Sequence, residues 1–428
     1  MTESTPARRT GTAIVLCPID KNTFRDPEYK LAEAVGLARA IDLDVVSART
    51  VKVGRISPAT FISSGAVEAM VAEAAETRAE VLIVDTQLSP VHQRNLERAC
   101  KIKVIDRVGL ILEIFGARAR TREGKLQVDL ARMTYQRSRL VGAWTHLERQ
   151  RGGGGFIGGP GETQKELDRR KLDDQMQAIK KRLADVTRTR ALGRKARGAV
   201  PFPIVALVGY TNAGKSTLFN MLTGAKILAA DMLFATLDPT MRQLKLPSGR
   251  QVILSDTVGF IEDLPTHLIA AFKATLEEVL EADLILHVQD ITHPEADVQA
   301  AAVMKTLADL GIEGENTARV MDVANKIDLL PASDRAKTTR KFLDNGAAVI
   351  SASSGTGIPQ LLRQIDGRLA ERDEFHEYTL PITAGEALAW LHQHGEVLSR
   401  KDTKKTMKLR ALLAPEKAGQ FEKKFLTA

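Results

Sequence analysis

At 428 residues, 44% of them hydrophobic, the chain is long enough for several folded units and too apolar for an intrinsically disordered protein. Its two cysteines, Cys17 and Cys100, belong to no CxxC or Cys/His cluster, so they read as buried thiols in a reducing cytosol rather than a disulfide framework or zinc module. No leader-like apolar core opens the sequence and no run approaches the roughly 18 apolar residues of a membrane span, whereas a net charge of +8 and a pI near 9.4 invite a polyanionic partner.

In chain order, short strand patterns at 12–16, 44–48, 81–84 and 103–105 alternate with helical patterns at 28–39, 65–77 and 91–99. That alternation predicts a small parallel α/β unit over residues 1–115. It holds no second phosphate loop, and Asp85 and His92 read as a strand-end and a surface residue. A scaffold or docking role is expected of it.

Two long helical patterns follow, within 116–198. Leu126, Leu130, Met133, Leu140, Trp144 and Leu147 form a seam-like stripe, and Leu167, Leu172, Met176, Ile179, Leu183 and Val186 form a second. They predict an antiparallel helical hairpin joined by the loop 151–161, which has seven glycines among the ten residues from Gly152 and strands Phe156 and Ile157 within it. From Lys165 to Arg197, twelve Lys and Arg face five Asp and Glu, nearly the whole charge excess. A basic rod with a slender glycine tip suits insertion into a phosphate-lined crevice, and irregular RNA is the expected polyanion.

The phosphate loop comes next. Gly209-Tyr210-Thr211-Asn212-Ala213-Gly214-Lys215-Ser216-Thr217 follows the strand pattern 204–208 and enters a helix, the setting that GxxxxGK[ST] requires. Its amides converge on phosphates at a helix N-terminus. Lys215 is expected to reach the β- and γ-phosphates, and the Ser216 hydroxyl to ligate Mg2+. Phe234-Ala235-Thr236-Leu237-Asp238 forms a mobile segment with Thr236 as the residue meeting magnesium and the γ-phosphate, Thr240 being the competing position. Asp256-Thr257-Val258-Gly259, beginning 41 residues after Lys215, supplies a carboxylate holding magnesium through water and the Gly259 amide facing the γ-phosphate. Asn325-Lys326-Ile327-Asp328 reads as the guanine-specificity motif, because a carboxylate accepts from both N1–H and the exocyclic amine of guanine. Ser351-Ala352-Ser353 closes the base side. The expected nucleotide is GTP, with Lys215, Thr236, Gly259 and Asn212 in catalytic roles, the last through a bound K+ or only as a loop former. Phe260 stands where Ras-like enzymes carry a water-orienting glutamine, so slow intrinsic hydrolysis and stimulation by a partner are expected.

Beyond about residue 372, a strand pattern at 378–382, a helix at 385–394, a hairpin over 396–413 turning at 400–405 and a helix at 416–425 predict a compact α+β tail. His392 and His394 lack partners at metal spacing.

With these residues in hand, the chain resembles the HflX family of the Obg–HflX GTPases over nearly its whole length. The resemblance is carried by Leu88-Ser89-Pro90 with Gln93-Arg94-Asn95-Leu96, by Val104-Ile105-Asp106-Arg107 running into Ile111-Leu112-Glu113-Ile114-Phe115, and by Glu123-Gly124-Lys125-Leu126-Gln127-Val128. It continues through Gly159-Pro160-Gly161-Glu162-Thr163, the phosphate loop, and the segments around Thr236 and Asp256. The resemblance implies a multidomain α/β chain: an α/β subdomain at 1–115, a helical hairpin at 116–198, a P-loop GTPase domain with a mostly parallel sheet and helices on both faces at 199–371, and a short α+β domain at 372–428. It implies magnesium ligands at Ser216 and Thr236 and guanine recognition by Asn325, Lys326 and Asp328. It also implies a cytoplasmic, monomeric protein that binds the large ribosomal subunit and its rRNA near the peptidyl transferase centre and splits or rescues stalled ribosomes under stress. The other class left open is a signalling or RNA-modification GTPase that uses the hairpin for a protein or tRNA partner.

Overall fold

A computed structural model describes residues 11–20, 25–150, 160–197, 202–225, 232–262, 273–371, 374–413 and 415–426. The expectation for the glycine loop, including Phe156 and Ile157, lies largely outside them. The N-terminal unit runs β1 (Thr12–Ile19), α1 (Pro27–Arg39), β2 (Asp44–Lys52), α2 (Ser64–Thr77), β3 (Val81–Val84), α3 (Pro90–Cys100) and β4 (Lys103–Asp106). Asp26, Ser63 and Ser89 begin the three helices by accepting a backbone N–H in the first turn. The sheet is parallel in the order β2-β1-β3-β4.

Three helices follow: α4 (Arg107–Arg118), α5 (Arg122–Gln150) and α6 (Pro160–Arg197). No element was expected at α4. Val108, Leu110, Ile111, Leu112, Ile114 and Phe115 are all buried, which leaves only a narrow exposed edge at Glu113 and Ala117. α5 and α6 pack together, with Arg137 bridging to Asp173 at 3.1 Å; Met176 and Ile179 of the second stripe are buried, whereas Leu126, Leu130, Met133 and Leu140 of the first are half-buried and α5 buries Val128 and Ala131 instead. Leu167 is the exception in its stripe, 49% exposed.

The third unit comprises β5 (Ile204–Val208), α7 (Lys215–Thr223), β6 (Thr240–Lys245), β7 (Gln251–Asp256), α8 (Lys273–Leu280), β8 (Leu284–Asp290), α9 (Ala296–Asp309), β9 (Val320–Asn325), α10 (Ala332–Asp344), β10 (Ala348–Val349) and α11 (Ile358–Ala370). Its sheet has the order β10-β9-β8-β5-β7-β6, parallel except for β6. The tail comprises β11 (Glu374–Pro381), α12 (Gly385–His394), β12 (Glu396–Asp402), β13 (Thr406–Leu413) and α13 (Pro415–Phe425), with an antiparallel sheet β11-β13-β12. Its core gathers Tyr378, Leu391 and Phe421, with Trp390 packed at the edge.

The cores explain how the units sit together. Successive β5 residues face opposite sides: Val205 and Leu207 join a core with Phe219 and Ile365, while Ala206 and Val208 join one with Phe234 and Phe260. Burial on both faces is why Ile204–Val208 is continuously apolar. The second of these cores runs on through Phe115, Leu110 and Val128 to Ala13, Val15 and Ile83 of the N-terminal sheet. The N-terminal sheet, the base of the helical arm and one face of the third unit therefore share one apolar interior.

Candidate nucleotide and switch site

The phosphate loop spans the turn from β5 to α7, and its backbone is set by close approaches. Gly214 has φ 93°, and a Cβ there would lie 2.3 Å from Asn325 Nδ2, so both conformation and space demand glycine. Asn212 has φ 60°, a left-handed conformation that asparagine tolerates better than most side chains. Lys215 is buried, and its ammonium donates to the carbonyls of Gly209 (3.1 Å) and Tyr210 (2.8 Å). Burial pulls its pKa from 10.5 down to about 8, Asp256 opposing and Lys326 adding to the fall.

Around α7's first turn three oxygens converge. Ser216 Oγ donates to Asp256 Oδ2 at 2.7 Å, Thr236 Oγ1 donates to the same oxygen at 3.1 Å, and the two hydroxyls lie 2.9 Å apart. Asp256 Oδ1 is buried with no hydrogen-bond partner among the described residues. Burial raises the Asp256 carboxyl pKa against the hydroxyls and Lys215. Two hydroxyls and an under-satisfied carboxylate are hard oxygen donors of the kind Mg2+ prefers, so these residues fit that ion. Thr240, the competing position, instead opens β6 and pairs with Asp256 across the ladder.

A pocket over this triangle is lined by Thr211, Asn212, Gly214, Lys215, Ser216, Thr217, Phe234, Ala235, Thr236, Thr257 and Gly259, together with Met232, which the sequence patterns did not single out. At Gly259 an added Cβ would stand 3.1 Å from the Lys215 ammonium. Ala213, Leu237, Val258 and Ile327 turn their side chains into the interior. Phe260 is buried; its N–H donates to Gly209 O (3.0 Å) and its carbonyl accepts from Thr211 N–H (2.8 Å), which ties its segment to the phosphate loop. A side chain so placed orients no water.

At the base side, the Asp328 carboxylate is exposed and accepts from Ser353 Oγ at 3.1 Å; hydrogen bonds from Ser351 and Ser353 hold its pKa below the usual 3.8. Asn325 is buried and acts as a clip: its amide donates to Ala213 O (2.9 Å) and accepts from Ala352 N–H (3.0 Å), joining phosphate loop to base loop. Lys326 bridges to Asp290 at 2.8 Å.

Sequence patterns also missed a buried ionic junction. Tyr210, part of the phosphate-loop motif, points away from the pocket and donates to Glu33 at 2.6 Å. Arg107 donates to Asp85 (2.6 Å), Glu33 (2.8 Å) and the carbonyl of Glu262 (3.0 Å), while Glu262 N–H donates to the Tyr210 hydroxyl (3.1 Å). Arg25 ties Glu33 to Glu295 and Glu262. Asp85 is thus a strand-end residue, as expected, but one buried in an ion pair. Its partners are remote in sequence, so no local pattern announces them.

Fold, phosphate loop and switch segments together define a P-loop GTPase. Residues 28–116 match a family described as GTP-binding GTPase N-terminal, 118–197 one described as GTP-binding GTPase middle region, and 204–326 one described as 50S ribosome-binding GTPase. The chain is 45% identical to the GTPase HflX of Magnetococcus marinus, over 96% of this chain and 94% of that one. It is 46% identical to the GTPase HflX of Escherichia coli K12, over 78% of each. It is also similar to a crystal structure of a GTP-binding protein from Sulfolobus solfataricus in complex with GDP, at 23% identity, 84% and 99% coverage and a TM-score of 0.44. This chain belongs to the HflX family of GTPases.

Proposed function

We propose that the chain hydrolyses GTP at the α7 site and uses the α5–α6 arm to engage the large ribosomal subunit, splitting or rescuing stalled ribosomes under stress in the cytoplasm. The observation that carries this reading is the arm's division of labour. Met176 and Ile179 turn inward while Arg169, Arg170, Lys171, Lys180, Lys181 and Arg182 stay exposed, a cationic face suited to rRNA phosphates. The family description of residues 204–326 as a 50S ribosome-binding GTPase supports the same partner.

Within the site, Lys215 holds the β- and γ-phosphates, the Gly259 amide faces the γ-phosphate, and Asp328 reads guanine. Ser216 and Thr236 ligate Mg2+, with Asp256 behind a water. When bound, that ion neutralises charge developing on the transferred phosphoryl group. Asn212, exposed at the pocket rim, is the residue for a bound K+. The units 1–115, 116–198, 199–371 and 372–428 divide docking, probing, hydrolysis and an accessory role. Co-sedimentation with large subunits tests the partner. Binding with a GTP analogue that is weakened with GDP or when residues 152–161 are deleted is expected; binding indifferent to both changes would remove the ribosomal reading.

A further inference from the structure

Between Met232 and Thr240 the switch segment is fastened at both ends to the junction of α4 and α5, with Thr236 between the fastenings. At one end Phe234, held at φ 55° where a bulky side chain is strained, packs edge-on against Phe115 of α4 with ring centroids 4.8 Å apart. At the other, Asp238 leaves the pocket altogether. Its Oδ2 accepts from the N–H groups of Arg120 (2.7 Å) and Thr121 (2.9 Å), and its Oδ1 from the Thr121 hydroxyl (2.5 Å). The Thr121 hydroxyl already accepts from Gly124 N–H at 2.9 Å, so the first turn of α5 has a local cap. A second, carboxylate cap arriving from 117 residues further along the chain does more than end a helix. Gly124 makes room for it: a Cβ there would lie 2.3 Å from Asp238 Oδ1.

We infer that Phe234 and Asp238 are positioning residues, and that the α4–α5 junction is the platform on which the switch segment is set so that Thr236 faces Ser216 and Asp256. The free donors and positive end of the α5 dipole hold the Asp238 carboxylate. Fixing the chain two residues either side of Thr236 removes most of the ordering cost its hydroxyl would otherwise meet on binding. Because coupling is reciprocal, a displacement of the arm's base displaces Thr236, and a triphosphate that holds Thr236 steadies the arm. The inference rests on the magnesium and γ-phosphate role proposed for Thr236.

The test uses the full chain with Gly124→Ala, Asp238→Ala and, as reference, Thr236→Ala, measuring single-turnover GTP hydrolysis and affinities for a GTP analogue and GDP in Mg2+. Alanine is the better helix former, so Gly124→Ala displaces the carboxylate without melting α5. Both anchor variants are expected to lose about tenfold or more in hydrolysis and in analogue affinity, and to keep GDP affinity, because GDP has no γ-phosphate for Thr236 to meet. Wild-type hydrolysis in both anchor variants, or equal losses for the analogue and GDP, would overturn the inference while leaving Thr236's role standing. If Thr236→Ala itself showed no selective loss, that role would fall first and take the inference with it.

Discussion

Lys215 shows how a single side chain is prepared for an anionic ligand. Its ammonium is buried against two carbonyls, and desolvation lowers its pKa to about 8. Bound phosphates favour the charged form, so the pKa rises on binding and protons are taken up wherever the free lysine is partly neutral. Calorimetry in buffers of different ionisation enthalpy should show uptake of roughly half a proton per nucleotide at pH 8, vanishing near pH 6.5 once phosphate ionisation is subtracted, with affinity declining from pH 8 toward 10.5. No uptake at pH 8 would mean the lysine is already charged when free. On the guanine-reading role proposed for Asp328, Asp328→Ala would remove two charge-assisted hydrogen bonds of about 1.5–3 kcal/mol each, so the preference for guanine over adenine nucleotides should fall by about 100-fold or more in competition binding. An undiminished preference would contradict the role given to Asp328. At this scale the sequence is legible where a motif is contiguous, as in the loop through Ser216. It is opaque where a motif residue serves a distant partner: Tyr210 faces Glu33, and Asn325 spends its amide on Ala213 and Ala352 instead of the open pocket.

Among elements, the junction of β3, α1, α4 and the segment after β7 decides how the N-terminal sheet meets the switch. Burial raises the Glu33 pKa, but Arg107 and Arg25 outweigh it and hold the carboxyl below its usual 4.5. A carboxylate lowered on folding contributes stability above its unfolded pKa, so this contribution is present at neutral pH and lost as pH falls below about 4.5. Replacing Arg107 by alanine leaves Asp85 buried without its cation and Glu33 with Arg25 alone, at a cost of about 3–5 kcal/mol at pH 7 in urea unfolding. A loss under about 1 kcal/mol would show that water reaches the junction and screens it. Most elements were readable because one period or one cap marks each of them. The strands β1 and β2 extend three to four residues beyond their expected ends, to Ile19 and Lys52, where pairing with each other overrides local composition. α4 is hard to read in the sequence because its exposed edge, at Glu113 and Ala117, is narrow beside a nearly continuous apolar run.

At the scale of the whole molecule, one interior is shared by the N-terminal sheet, the base of the arm and the nucleotide sheet, joining units that sequence patterns present as separate, while the tail keeps its own core. Composition alone located the charge excess on the arm, but not the contacts that seat the arm on the switch, since Asp238 and Thr121 lie far apart in the chain. If α6 grips rRNA phosphates, affinity for large subunits should fall about tenfold or more between 50 and 200 mM salt; a flat salt response in sedimentation would argue for a protein contact instead. The buried Phe260 orients no water, so hydrolysis should be slow alone and quickened when the arm is engaged. Single-turnover GTP hydrolysis by the full chain, alone and with purified large ribosomal subunits, tests this most directly. The predicted result is a rate at least about tenfold higher with subunits, with the gain lost when residues 152–161 are removed; equal rates with and without subunits would contradict it.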